Sequence, residues 1–144
     1  MLIYLLLVAV CWSCQKNDNG QTKMNESTSL QGTQWKLISF VDTETGVSKE
    51  AESKDKRSYT LRFNDDNTLG GFSSTNELDG SYEPDYSTND INITIGQRTF
   101  INELLDGNKY VDLLNNIQSF SLEKNELRLY YADKKNYLLF KPQL

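Results

Sequence analysis

Histidine is absent from this chain of 144 residues, and its two cysteines, Cys11 and Cys14, both stand near the start. The first absence excludes Ser-His-Asp and Cys-His catalysis and every His-ligated zinc site. The second leaves no thiol nucleophile and no disulfide beyond Cys14. Catalysis would fall to carboxylates, Lys, Tyr, Ser or Thr. Basic charge is also scarce: 15 Lys plus Arg face 20 Asp plus Glu, for a net charge of −5. Phosphate recognition needs a basic patch, so nucleic acid is a poor partner for this chain. The apolar run "MLIYLLLVAV" would make a helix of only ~15 Å against a bilayer core of ~30 Å. It has the length of a signal-peptide apolar region, although no Lys or Arg precedes it. What is present suffices for one folded domain, since 38% of residues are apolar and 24% charged.

The apolar run ends at "CWSC". A C-x-x-C pair can be a redox couple, but a thioredoxin-like pair follows a strand and opens a helix inside a complete domain. Here no fold stands in front of it. A zinc site needs about four ligands, and two cysteines without histidine supply half of them. The segment resembles a bacterial lipoprotein leader, in which a small residue precedes the cysteine that becomes the mature N-terminus. Ser13 before Cys14 fits that pattern, whereas Val10 before Cys11 does not. The resemblance implies residues 1–13 as a signal peptide, acyl chains such as palmitate on Cys14, and a lipid anchor in the outer membrane. "QKND" beyond it is similar to the Lys-plus-acidic signal that sends some Bacteroidetes lipoproteins to the cell surface, with Lys16 and Asp18 as its charged residues. Cell surface and periplasmic face both stay open.

Residues 14–31 read as the lipidated cysteine and a polar, aperiodic linker. From Gly32 the pattern changes, and 32–144 reads as the folded domain. "WKLISF" starts a first strand with Trp35 and Leu37 on one face. "VDTETGVSKEAESKDKR" reads as a long solvated loop. "YTLRF" alternates, with Tyr59, Leu61 and Phe63 inward and Thr60 and Arg62 outward. "NDDN" is turn chemistry, and Gly70-Gly71 in "TLGGFSS" suggests a bulge or a close backbone approach. Ile91, Ile93 and Ile95 share a strand face. Ile101, Leu104 and Leu105 suit a helical turn, and Asn108 could cap a second short helix carrying Tyr110, Leu113, Leu114 and Ile117. Three strands close the chain, with turns at "EKNE" and "ADKKN". The expected class is mainly β (β-rich α+β): six to eight strands in an antiparallel curved sheet or small barrel, with one or two short helices.

The stretch "LRFNDDNTLGGFSSTNELDGSY" resembles the META domain of HslJ-like envelope lipoproteins. The matching positions are Phe63, Asp66, Gly71, Asn76, Gly80 and Tyr82, together with Trp35 on the first strand and Thr99 before the helical segment. The resemblance spans about residues 32–142. It implies an envelope role, accessory or stress-related, with no reaction attached. META domains often carry a cysteine just before the Asn and another after the Thr; this chain has Thr75 at the first place and none near the second. Physically, Asn76 at a strand bend can satisfy orphan backbone groups. Asp79-Gly80 reads as a tight hairpin turn, and Tyr82 would pack its ring and give its hydroxyl a polar partner.

Other constellations carry less. "NDDN" fails the calcium-loop pattern, with Thr68, Leu69 and Thr75 where a ligand, glycine and glutamate belong. Glu77, Asp79, Glu83 and Asp85 offer the carboxylates a glycosidase needs, yet they sit on a turn-rich stretch where acidic residues are commonplace. Eight tyrosines, among them Tyr130, Tyr131 and Tyr137, could stack on sugars or proteins, or pack core and rim. "GTQW" is one residue longer than the lipocalin G-x-W opening. The expectation is a non-catalytic envelope lipoprotein with no metal and no cofactor. It would bind an unknown envelope protein or small ligand. The alternative is a lipocalin-like carrier of a small apolar molecule.

Overall fold

Alternating stretches of this density give strands too short to stand alone, and they gain stability by pairing in a sheet with one apolar face, whose open edges need covering or closing. The computed structural model describes residues 29–53 and 55–143, and there the chain solves this by closing a barrel. Its strands are β1 (Thr33–Asp42), β2 (Ser48–Glu50), β3 (Thr60–Phe63), β4 (Thr68–Phe72), β5 (Glu77–Asp85), β6 (Asp90–Arg98), β7 (Ser119–Glu123), β8 (Glu126–Tyr131) and β9 (Asn136–Pro142). One helix, α1 (Gly107–Leu114), stands between β6 and β7. All pairings are antiparallel, and neighbours follow chain order from β3 to β9. β1 closes the ring by pairing with β9 on one edge, while its other edge is shared by β3 and the short β2. The result is an eight-stranded antiparallel barrel with β2 as an appendage. The signal peptide, Cys14 and the linker through residue 28 lie outside the described residues.

The wall is uneven. β5 and β6 pair along their whole length, whereas β6 and β7 share one registered pair, Asp90 with Ser119. α1 packs where these strands part. The Asn115 side chain at its C-terminal end accepts a hydrogen bond from the Ile95 amide, which β7 leaves unpaired (2.8 Å). Tyr110 is fully buried, with its ring edge-on to Tyr59 at 5.4 Å and tilted to Phe140 at 6.4 Å. The core is thus filled by side chains of the strands, of α1 and of the turn before β3, among them Tyr59, Tyr82, Tyr110, Phe63 and Phe140. Burial raises the Tyr110 phenol well above its ordinary pKa, with Tyr59 adding to the effect.

Several sequence expectations need correction. Leu30, read as linker, is fully buried, and its amide donates to the Tyr86 hydroxyl, so the folded unit takes in residues 29–31. β2 lies inside the stretch read as loop; all three of its residues are exposed, so no apolar period marks it. Thr60 faces protein, not solvent, and its hydroxyl donates to the Arg57 carbonyl at 2.9 Å. Ile101, Leu104 and Leu105 form no helix; residues 99–106 are irregular and all three side chains are exposed. The single helix begins at Gly107 with Asp106, not Asn108, at its cap. Tyr110 and Leu114 of its expected face are buried, as is Ile117 just beyond its end. Gly80 is no hairpin turn. It sits within β5 at a bulge against β6, between Asp79 and Gly80, while β4 runs through Gly70 and Gly71 without one.

Candidate functional site

Antiparallel alternation sorts the loops onto two rims. The upper rim carries the β4–β5 turn at 73–76 and the crossing loop 99–106; the lower carries the β3–β4, β5–β6 and β7–β8 turns. On the upper rim, the Asn76 amide is used on both sides. Its Oδ1 accepts from the Thr99 hydroxyl (2.9 Å) and the Ile101 amide (2.8 Å), and its Nδ2 donates to the Ile101 carbonyl (2.7 Å) and to Glu103 (2.8 Å). Glu103 also accepts from the hydroxyls of Ser73 and Ser74, each at 2.6 Å, and of Thr75 at 3.1 Å. Burial pushes the Glu103 carboxyl up, but these hydroxyls and the Asn76 amide outweigh it and hold it below the usual carboxylate range. Thr75, at the place where META domains often have a cysteine, also donates to the Asn102 carbonyl (3.2 Å). Hydrogen bonds therefore tie the 73–76 turn to the crossing loop.

The remaining predicted residues are placed as follows. Phe63 and Tyr82 stack edge-on at 4.8 Å in the core, and the Tyr82 hydroxyl donates to the Asn64 carbonyl at 2.9 Å. Burial pushes the Tyr82 phenol up to about 12. Asp66 shapes the β3–β4 turn, accepting from the amide and hydroxyl of Thr68. The buried Trp35 donates its indole N–H to the Thr33 hydroxyl at 2.7 Å. Gly71 and Gly80 admit neighbouring backbone: a Cβ would stand 2.1 Å from the Thr60 carbonyl oxygen at Gly71, and 2.2 Å from that of Thr94 at Gly80. Glu77, Asp79, Glu83 and Asp85 are exposed along the outer face of β5. Among the described residues no group of three or more Asp, Glu, Cys or His could hold a metal ion.

The lower rim holds a groove of about 1130 Å³ between the β5–β6 turn and the β7–β8 hairpin, and nothing in the sequence pattern marks it. Tyr86, half-exposed, stands at its wall with its ring edge-on to Phe120 at 5.8 Å. The opposite side is charged. Glu126 accepts from Arg128 (2.7 Å) and Lys141 (2.8 Å), so the trio carries one net positive charge. Lys141, opposed by burial and joined by Arg128, holds the Glu126 carboxyl below its usual range. The arrangement combines an aromatic wall, amide side chains at Asn89 and Asn125, and a cationic border. These are the elements of a binding surface.

Residues 18–142 match the model of a family described as a domain of unknown function, DUF4847. The chain belongs to the DUF4847 family. Its barrel is similar to the crystal structure of a DUF4847 protein from Bacteroides vulgatus. That match has a TM-score of 0.62 at 18% identity and covers 76% of this chain and 92% of that one. It is also similar to the NMR structure of a protein from Burkholderia xenovorans, with a TM-score of 0.60 at 22% identity over 79% and 83% of the two chains. In sequence, the DUF4847 chain is 28% identical over 143 residues to a Tannerella forsythia protein named "Putative lipoprotein", covering 95% of this chain and 89% of the relative.

Proposed function

We propose that this protein is a non-catalytic binding domain of the bacterial envelope, lipid-anchored through Cys14 in the outer membrane, with its ligand site in the lower-rim groove. The groove is the observation that carries the binding role: a hollow of about 1130 Å³ with an aromatic wall and a cationic border fits a small molecule with one apolar face and an anionic or hydroxyl-rich edge. A carrier of a small apolar molecule, the second reading, would use the same groove, because aromatic side chains fill the barrel interior. The anchor rests on Ser13-Cys14 after the apolar run and on the Tannerella relative's name. Lys16 and Asp18 are where outward sorting would be read. The META likeness belongs to this proposal too, with the accessory or stress-related role it implies.

Two measurements test it. Globomycin, which blocks the lipoprotein peptidase, should leave a precursor uncleaved, and Cys14→Ala should do the same; normal processing of Cys14→Ala would remove the anchor. Native mass spectrometry of the full chain extracted from membranes should show a bound small molecule. Its occupancy should fall about tenfold in Tyr86→Ala/Arg128→Gln, the scale of losing a central contact. Equal occupancy in the two proteins would discard the groove as the site.

A further inference from the structure

Seven large apolar side chains are exposed among the described residues, and four of them, Phe100, Ile101, Leu104 and Leu105, fall in the crossing loop of the upper rim. Phe100 is 100% exposed, two residues beyond the end of β6. The loop's two carboxylates are turned away from this surface: Glu103 is held by the 73–76 turn, and Asp106 pairs with Lys49 at 2.7 Å. Part of its backbone is satisfied from beneath as well. The Ile101 amide and carbonyl bond to Asn76, the Asn102 carbonyl to Thr75, the Leu104 amide to Ser74, and the Leu104 carbonyl to the Gly107 amide. Leu105 holds a positive φ of 51°, where glycine would sit more easily. An apolar side chain is kept there at a conformational cost.

We infer that this loop inserts into a lipid bilayer, with Phe100, Ile101, Leu104 and Leu105 entering the acyl boundary. A protein partner would offer roughly one hydrogen bond per 100–200 Å², for which this surface presents four apolar side chains while both carboxylates and the Ile101 and Leu104 amides are already bonded underneath. A bilayer interior offers none, so apolar side chains enter it while backbone groups not bonded by the protein stay at the hydrated headgroup level. Chain length allows the contact. Cys14 lies fifteen residues before Ser29, a reach of up to ~50 Å when extended. The longest strands, β1, β5 and β6, have nine or ten residues and measure ~30–34 Å along the strand, less along the axis of a barrel whose strands tilt. The anchored chain can therefore run from the lower rim past the barrel wall and let the upper rim meet the same membrane. Tethering raises the loop's effective concentration there, so modest intrinsic affinity suffices.

The inference rests on the membrane-anchored reading only for that proximity. Its test uses the full chain in phosphatidylethanolamine vesicles with brominated acyl chains, which quench indole emission at the depth they occupy. Phe100→Trp adds one reporter, and its signal is the difference from the unsubstituted chain, which already carries Trp12 and Trp35. The added emission should fall by about half or more relative to unbrominated vesicles, as insertion of ~5–10 Å requires. Adding Leu104→Asp and Leu105→Asp should restore it. Equal emission in both vesicle types overturns insertion. A blue shift that grows with protein concentration without lipid overturns it in favour of a second copy. An unquenched reporter in a chain whose crossing loop cross-links to another protein overturns it in favour of a protein partner. A quenched reporter in a vesicle-bound chain whose Cys14 carries no lipid supports insertion and removes the anchor. A lipidated but unquenched chain does the reverse.

Discussion

Gly80→Ala should lower the stability of the domain by about 3 kcal/mol, the upper range for forcing an extra methyl into packed structure. The added Cβ would meet the Thr94 carbonyl oxygen at 2.2 Å and the Ile95 Cα at 3.1 Å, both backbone atoms of the strand that β5 pairs with most fully. Neither can swing aside as a side chain tip could. The bulge between Asp79 and Gly80 would have to open, and every pair beyond it in the hairpin would shift. Gly96→Ala in the same strand pair is the control. Its Cβ would lie 3.8 Å from the Asp79 carbonyl oxygen, an ordinary contact, and its effect should stay within about 0.5 kcal/mol. Urea unfolding of the two variants gives the comparison, and equal midpoints would rule out close approach as the reason for the glycine.

Asn76→Ala should cost about 3–4 kcal/mol, because it strips partners from several groups at once. The Ile101 amide and carbonyl, the Thr99 hydroxyl and one oxygen of Glu103 all lose a bond. The loop should loosen before the barrel does, so amide exchange at Ile101 and Leu104 should accelerate far more than at buried Leu129 in β8. Uniform acceleration would mean that Asn76 supports the whole fold and has no special hold on the loop. Glu103 adds a pH signature. Its carboxyl is held below the ordinary range in the folded state, so its contribution is complete above the unfolded pKa of about 4.3 and is lost as pH falls through the lower folded value. Glu103→Gln should flatten that part of the acid limb.

The strand content was readable because period two survives wherever a strand has one wet face, as in Tyr59, Leu61 and Phe63 or in Ile91 and Ile93. It fails where a strand is wet on both faces, which hides β2, and where a loop packs over the outer face, which buries Thr60. The crossing loop misled for a specific reason. Ile101, Leu104 and Leu105 have the spacing of a buried helical stripe, but they are apolar toward solvent, and periodicity carries no sign for inside or outside. Asn76 could be read as a residue that satisfies backbone. Its partner Glu103 could not, because 27 residues separate them and only the β5–β6 hairpin brings them together. The groove is further still from any local signal, since its walls come from the β5–β6 turn, the β7–β8 hairpin and β9, which meet only when the barrel is closed.

That closure has a temporal consequence. The strand that seals β1 is β9, the last of the barrel to leave a ribosome, and the two pair over most of β1 with only a bulge near Ile38. Until β9 arrives, β1 has one free edge and the Trp35–Leu37–Phe40 face has no β9 to pack against. A chain still being synthesised therefore cannot complete this barrel. Under the proposed lipid anchor it would be threaded N-terminus first through a membrane pore, travel open and finish folding on the far side, with its sealing contact the most distant in sequence and among the slowest to form.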